Sequence, residues 1–168
     1  MRVFLAFLIV FTALTSSALA QSRDQTREQL RQLLATAGQR SDVNVDFHQS
    51  TKQPYNFAGD MTTGLKYADE LEIVISVTKS DTIDFRVYPH YKGKYINIDR
   101  ARDKVGLMRK MLFYSYDNFF YWGADDDNDC FAGYTITLES GFPSDAIVIV
   151  LRSIKNQDQF VGELAKYI

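Results

Sequence analysis

The chain has 168 residues, 19 lysines and arginines against 21 acids, and 46 % hydrophobic residues with 14 % aromatics. Such a composition fits one globular domain with its own core. The mildly acidic balance argues against a nucleic-acid or anionic-membrane binder, which would need a basic face. The single cysteine, Cys130, excludes an internal disulfide and a thiolate zinc site.

The chain opens on Arg2 and an apolar run from Val3 to Leu14, followed by Thr15-Ser16-Ser17 and Ala18-Leu19-Ala20. Positive start, apolar centre and A-x-A site predict a cleavable export signal over residues 1–20. The run is too short for a spanning helix, which needs roughly 20 apolar residues, so no stable membrane anchor is expected after cleavage. Residues 21–168 would then be a single mature domain. Loss of Arg2 takes the formal charge from −2 to −3. With no N-x-S/T sequon and no disulfide, the expected setting is a bacterial periplasm or a secreted form.

Ser22 and Gln25 form a capping box. Leu30, Leu33, Leu34 and Ala37 then recur at helical spacing, with Gly38 as the stop. Residues 43–47 alternate and predict a short strand. Residues 48–66, with Pro54, Gly59 and Gly64, read as a long loop, which in a compact domain suggests function. Leu71, Ile73, Ile75 and Val77 define one face of a strand over 71–77. A turn at 79–81 leads to a partner strand over 82–88 with Ile83, Phe85 and Val87 inward and Asp84, Arg86 and Tyr88 outward, closed by Pro89. A second turn at 92–94 precedes Tyr95-Ile96-Asn97-Ile98.

Asp99 is the expected N-cap of the next helix, with Val105, Met108, Met111 and Leu112 as its buried stripe. Residues 119–124 predict a strand, Asp125–Asp129 a hairpin turn, and residues 131–138 the return strand. After Gly141-Phe142-Pro143, Ser144 is expected to cap a final helix with Ile147, Val150, Leu151, Ile154, Val161 and Leu164 near one face. The fold class is therefore α+β, with helices packed on an antiparallel sheet.

This order resembles the YbjN-type family of sensory transduction regulators, whose fold is similar to that of type III secretion chaperones. The residues that carry it are Ile75-Ser76-Val77, the acidic turn, Asp84-Phe85-Arg86-Val87, a helix, then Phe119-Phe120-Tyr121-Trp122, the Asp-rich turn and a C-terminal helix. The resemblance covers roughly residues 22–168. It implies a small chaperone-like α/β sandwich, often dimeric, that binds other proteins rather than turning over substrate, and it brings no catalytic set. The export signal and the long loop depart from the family pattern.

Candidate chemistry is sparse. The cluster Asp125–Asp129 offers oxygens for calcium, but an EF-hand loop would need Gly and Glu where Cys130 and Ile136 stand. His48 and His90 sit in no ligand-spaced motif, Ser140-Gly141 lacks the nucleophile-elbow frame, and acids beside Cys130 would raise its thiol pKa. No cofactor or metal is expected. The remaining feature is aromatic: Phe119, Tyr121 and Trp122 form the candidate partner surface, for another protein or for a second copy. The expected function is an exported, non-enzymatic protein-binding or regulatory module. The alternative is a small exported hydrolase or ligand-binding protein using the 48–66 loop.

Overall fold

The computed structural model describes residues 22–168; the expected export signal lies outside the described residues. The element order is α1 (Arg23–Ala37), β1 (His48–Gln49), β2 (Asn56–Met61), β3 (Glu70–Val77), β4 (Thr82–Tyr91), β5 (Lys94–Tyr95), α2 (Lys104–Asp117), β6 (Tyr121–Ala124), β7 (Cys130–Thr137), α3 (Ser144–Ser153) and α4 (Asp158–Leu164), with a short 3-10 turn (Ile154–Gln157) between the last two. Seven strands form one antiparallel sheet in the order β1-β2-β3-β4-β7-β6, with β5 beside the end of β4. The fold is α+β.

Alternation decides which face the helices cover. Leu71, Ile73 and Ile75 on β3 and Ile83, Phe85 and Val87 on β4 are fully buried, and register pairs Ile73 with Val87 and Ile75 with Phe85. Each such side chain contributes roughly 1.5–3 kcal/mol of transfer free energy, so a register slip that turned them to solvent is strongly disfavoured. α1 lies against β3 and α4 against β4, while α2 runs beside β6. The opposite face carries Glu72, Val74, Asp84, Arg86 and Tyr88.

Several boundaries differ from the sequence reading. Residues 43–47 form no strand, because Asn44 takes φ +52° and breaks the extended run. The segment crosses instead over Gly38 and Gly59. A Cβ on Gly59 would stand 2.6 Å from Val45 Cγ1, and one on Gly38 would strike the Val45 carbonyl. Residues 48–66 are not a loop: β1 and β2 lie within them, with Phe57 and Met61 buried. Pro89 does not end β4. Its carbonyl accepts from Ile96 N–H at 3.3 Å, so its missing N–H falls on the β5 side, beyond the last β4–β7 pair at Val87–Ala132. The N-cap of α2 is Asp103, whose Oδ1 accepts from Gly106 N–H at 2.8 Å, while Asp99 pairs with Lys104 at 3.0 Å. Ser144 is the first residue of α3 rather than its cap, and the expected single final helix is broken by the 3-10 turn.

Candidate protein-binding surface

β6 and the C-terminal half of α2 are joined through one hydroxyl. Ser115 Oγ accepts from Trp122 N–H at 2.7 Å and lies within donating distance of the Trp122 and Met111 carbonyls, at 3.1 and 3.0 Å. Trp122 pairs with Ala132 of β7 on the inner side, so Ser115 occupies the outer edge of β6 at that residue. The other edge strand, β1, has two residues. Short or covered edges are how sheets avoid adding a foreign strand.

The aromatic row divides. Phe120 and Trp122 are buried, at 1 % and 5 % exposure. Trp122 therefore leaves the candidate surface: its indole packs against Tyr114 (5.7 Å) and Phe160 (6.3 Å) in the core. Phe119 and Tyr121 are exposed, yet they do not share a face. Phe119 stacks on Tyr134 at 4.2 Å and 18°. Tyr121 lies across Gly133, where a Cβ would collide with the phenol ring. Tyr134 and Gly133 are neighbours on β7 and point to opposite sides of the sheet, so Phe119 and Tyr121 serve opposite faces.

The larger apolar surface is on α2. Its inner stripe, Leu107, Met111 and Tyr114, is buried. Tyr114 OH donates to Glu163 Oε2 at 3.0 Å, and Lys110 reaches the same carboxylate at 2.8 Å. The two partners hold the Glu163 carboxyl below its usual range, Lys110 contributing most, and burial followed by Glu163 pushes the Tyr114 phenol up. This network ties α2 to α4. The stripe expected to be buried is the reverse: Val105, Met108 and Leu112 are exposed, and Met111 alone of the four is inside. With Phe113 and Tyr116 they form a second apolar stripe on the solvent side. Beside it lies a cleft of ≈ 400 Å³ lined by Asp103, Gly106, Arg109, Lys110, Phe113 and Tyr167.

Of the groups considered for chemistry, Asp125, Asp127 and Asp129 line one cleft of ≈ 310 Å³ with Glu72, the carboxylate nearest His90. Cys130 is fully buried, and burial, with Asp129 and Asp125 adding to it, pushes its thiol up to about 12; such a thiol is not a ready nucleophile. In the acidic turn, Asp125 Oδ1 accepts the N–H groups of Asp127 and Asp129, both at 3.0 Å. Asp129 Oδ1 accepts from Asn97 Nδ2 at 2.8 Å. Among the described residues no group of three or more His, Cys, Asp and Glu could hold a metal ion. His48 lies exposed on β1. His90 sits near the end of β4, 3.6 Å from Glu72 and 4.0 Å from Glu70. No helix among the described residues is long and apolar enough to cross a membrane.

A sheet with an open outer face, a two-residue edge strand and a far edge bonded to Ser115, together with an exposed apolar helix, makes this an α+β protein with a candidate helical docking surface. The chain matches no family model and no curated protein.

Proposed function

We propose that this is an exported, non-enzymatic protein-binding or regulatory module, periplasmic or secreted, whose docking surface is the outer face of α2. The observation that carries the reading is the exposed stripe Val105, Met108, Leu112 and Tyr116, 62, 41, 71 and 88 % exposed. Contiguous apolar surface of this extent marks interaction sites on soluble domains. The two-residue β1 edge and the β6 edge occupied by Ser115 favour a helix face over strand addition. The YbjN-type resemblance belongs to the same proposal, since it implies action through protein contact. A photo-crosslinking residue placed at Leu112 in the native host should give a discrete protein adduct, and the same residue at Thr137 should give none. Equal yields at the two positions, or no adduct at Leu112, count against the reading.

One observation favours a second reading, a small ligand-binding protein or hydrolase. A cleft of ≈ 390 Å³ on the open sheet face is lined by Gln53 and Asn56 of the 48–66 region together with Ser76, Thr78, Asp84 and Arg86. A small molecule retained by the purified protein in native mass spectrometry, and lost in Arg86→Ala, would select this alternative.

A further inference from the structure

The apolar stripe of the C-terminal segment has one polar member. Ile147, Val150, Ile154, Val161 and Leu164 recur three and four residues apart and are buried. Gln157 stands between Ile154 and Val161, where the repeat calls for another apolar residue, and it is only 3 % exposed. Its side-chain Oε1 is buried and finds no hydrogen-bond partner among the described residues. An unpaired buried acceptor costs its desolvation, and a leucine in its place would not. Local patterns are broken in this way at functional positions.

Gln157 lines a cleft of ≈ 200 Å³ between the 3-10 turn and the chain leaving α2. We propose that this cleft binds a neutral sugar ring, with Gln157 Oε1 accepting from one of its hydroxyls. Volume sets the scale. At ~30 Å³ per water the cleft has room for several, yet it is smaller than the roughly 300–1,000 Å³ of a drug-sized site, which suits a single ring.

Charge sets the class. No residue that lines the cleft is charged, and the charges beside it in sequence are engaged elsewhere. Arg152 pairs with Asp42 at 2.6 Å, Lys155 lies over Gly64, and Asp158 accepts the N–H groups of residues 66–68. A charged ligand would enter with no counter-charge to meet it. Around Gln157 stand the amides of Asn118, Asn156 and Gln159. Each amide sets an acceptor oxygen beside donor hydrogens, and a sugar hydroxyl is donor and acceptor at once. A purely apolar ligand would leave these groups unmet. Phe119 and Phe120 supply the apolar wall for the C–H face of the ring. Their rings stand at 79° with centroids 5.4 Å apart. That is a corner for a puckered ring, where a flat base would need a parallel-walled slot. Phe119 is fixed by its stack on Tyr134, and the turn by the bonds of Asp158, so both walls are preformed. The cleft shares no residue with the outer stripe of α2 or with the cleft on the open sheet face.

The test titrates the exported protein with glucose, galactose, mannose and N-acetylglucosamine, and with a disaccharide of each, following backbone amide signals by NMR. At least one neutral sugar should saturate with a dissociation constant on the order of 1 mM or tighter, shifting the amides of residues 118–120 and 156–160. Glucuronate and galacturonate should bind about tenfold more weakly or less. Gln157→Leu should lose about tenfold or more in affinity while melting no lower than wild type, which separates a ligand role from a structural one. Phe119→Ala, at an exposed position, should weaken the same sugar several-fold and decides the matter where Gln157→Leu folds poorly. A disaccharide bound more tightly at these residues marks the end of a glycan as the source, and a preference for the free sugar marks the monosaccharide; either supports the site. No neutral sugar bound at about 10 mM, shifts confined to other residues, equal affinity for the uronates, or a Gln157→Leu protein that melts lower and binds as well as wild type overturns the proposal. Crosslinking at Leu112 reports on the α2 surface alone, so the two readings stand or fall separately.

Discussion

Replacing Asp158 should detach a segment of chain from the far end of the sequence. Its side chain is buried at the start of α4, with the residue 7 % exposed. Its carboxylate accepts three consecutive backbone N–H groups, from Lys66 (2.7 Å), Tyr67 (2.9 Å) and Ala68 (2.7 Å). Hydrogen bonds to a charged group contribute roughly 1.5–3 kcal/mol each, and an orphaned buried donor costs its desolvation. In Asp158→Ala the Ala68 N–H has no route to water, whereas the Lys66 and Tyr67 groups lie nearer the surface and recover part of the loss. The expected cost is therefore about 3–5 kcal/mol rather than the full sum of three bonds. Asp158→Asn keeps an acceptor for Tyr67 and Ala68 but turns an amide N–H towards Lys66, and should cost about 2 kcal/mol. In urea titrations with a slope of about 2 kcal/mol per molar, the midpoint falls by roughly 2 M for Ala and about 1 M for Asn. Glu139→Ala, an exposed acid, serves as the control and should stay within about 0.5 kcal/mol. A midpoint for Asp158→Ala within about 0.5 M of wild type, at unchanged slope, would refute the reasoning. It would mean that residues 66–68 are not held by α4.

Three further outcomes follow from particular contacts. The Cys130 thiol, raised to about 12 by burial and by Asp129 and Asp125, should resist thiol reagents in the folded protein and react fully in denaturant. Its proton is lost from the unfolded chain first, so its stabilising contribution is complete below the ordinary value of 9.0 and declines as pH rises from there towards 12. Wild type should accordingly lose more stability than Cys130→Ala when denaturation at about pH 8 is compared with about pH 10.5. Ser115→Ala strips both outward backbone groups of Trp122; it should cost about 1–2 kcal/mol and speed amide exchange at Trp122. Millimolar calcium should leave the melting temperature unchanged, because Asp125 and Asp129 spend acceptor oxygens on backbone N–H groups and Asn97. A rise in melting temperature would show that the turn rearranges to bind it.

The strands at the centre of the sheet were legible because period-two alternation has one reading: Leu71, Ile73 and Ile75, and Ile83, Phe85 and Val87, share a face only as strands. β2 escaped notice because its inward positions are Phe57, Gly59 and Met61. The glycine removes the middle apolar residue, and it is there because the Val45 segment passes over it. The cap of α2 moved from Asp99 to Asp103 because both positions carry the same side chain and local chemistry does not rank them.

α2 is the instructive failure. It has two apolar stripes on opposite sides, Leu107-Met111-Tyr114 and Val105-Met108-Leu112-Tyr116, and helical period alone gives no reason to choose between them. The choice is made by what the inner residues can do beyond being apolar. Tyr114 reaches Glu163, Ser115 reaches Trp122 across the strand edge, and the Tyr114 ring meets Phe160 at 4.5 Å. Those three contacts fix the rotation of the helix and leave the outer stripe facing water. A helix held that firmly by polar contacts keeps its outer stripe in place while unpartnered. It thereby presents a preformed apolar face whose binding incurs little ordering cost. The same contacts that bury the inner stripe are therefore the structural reason to look for function on the opposite side.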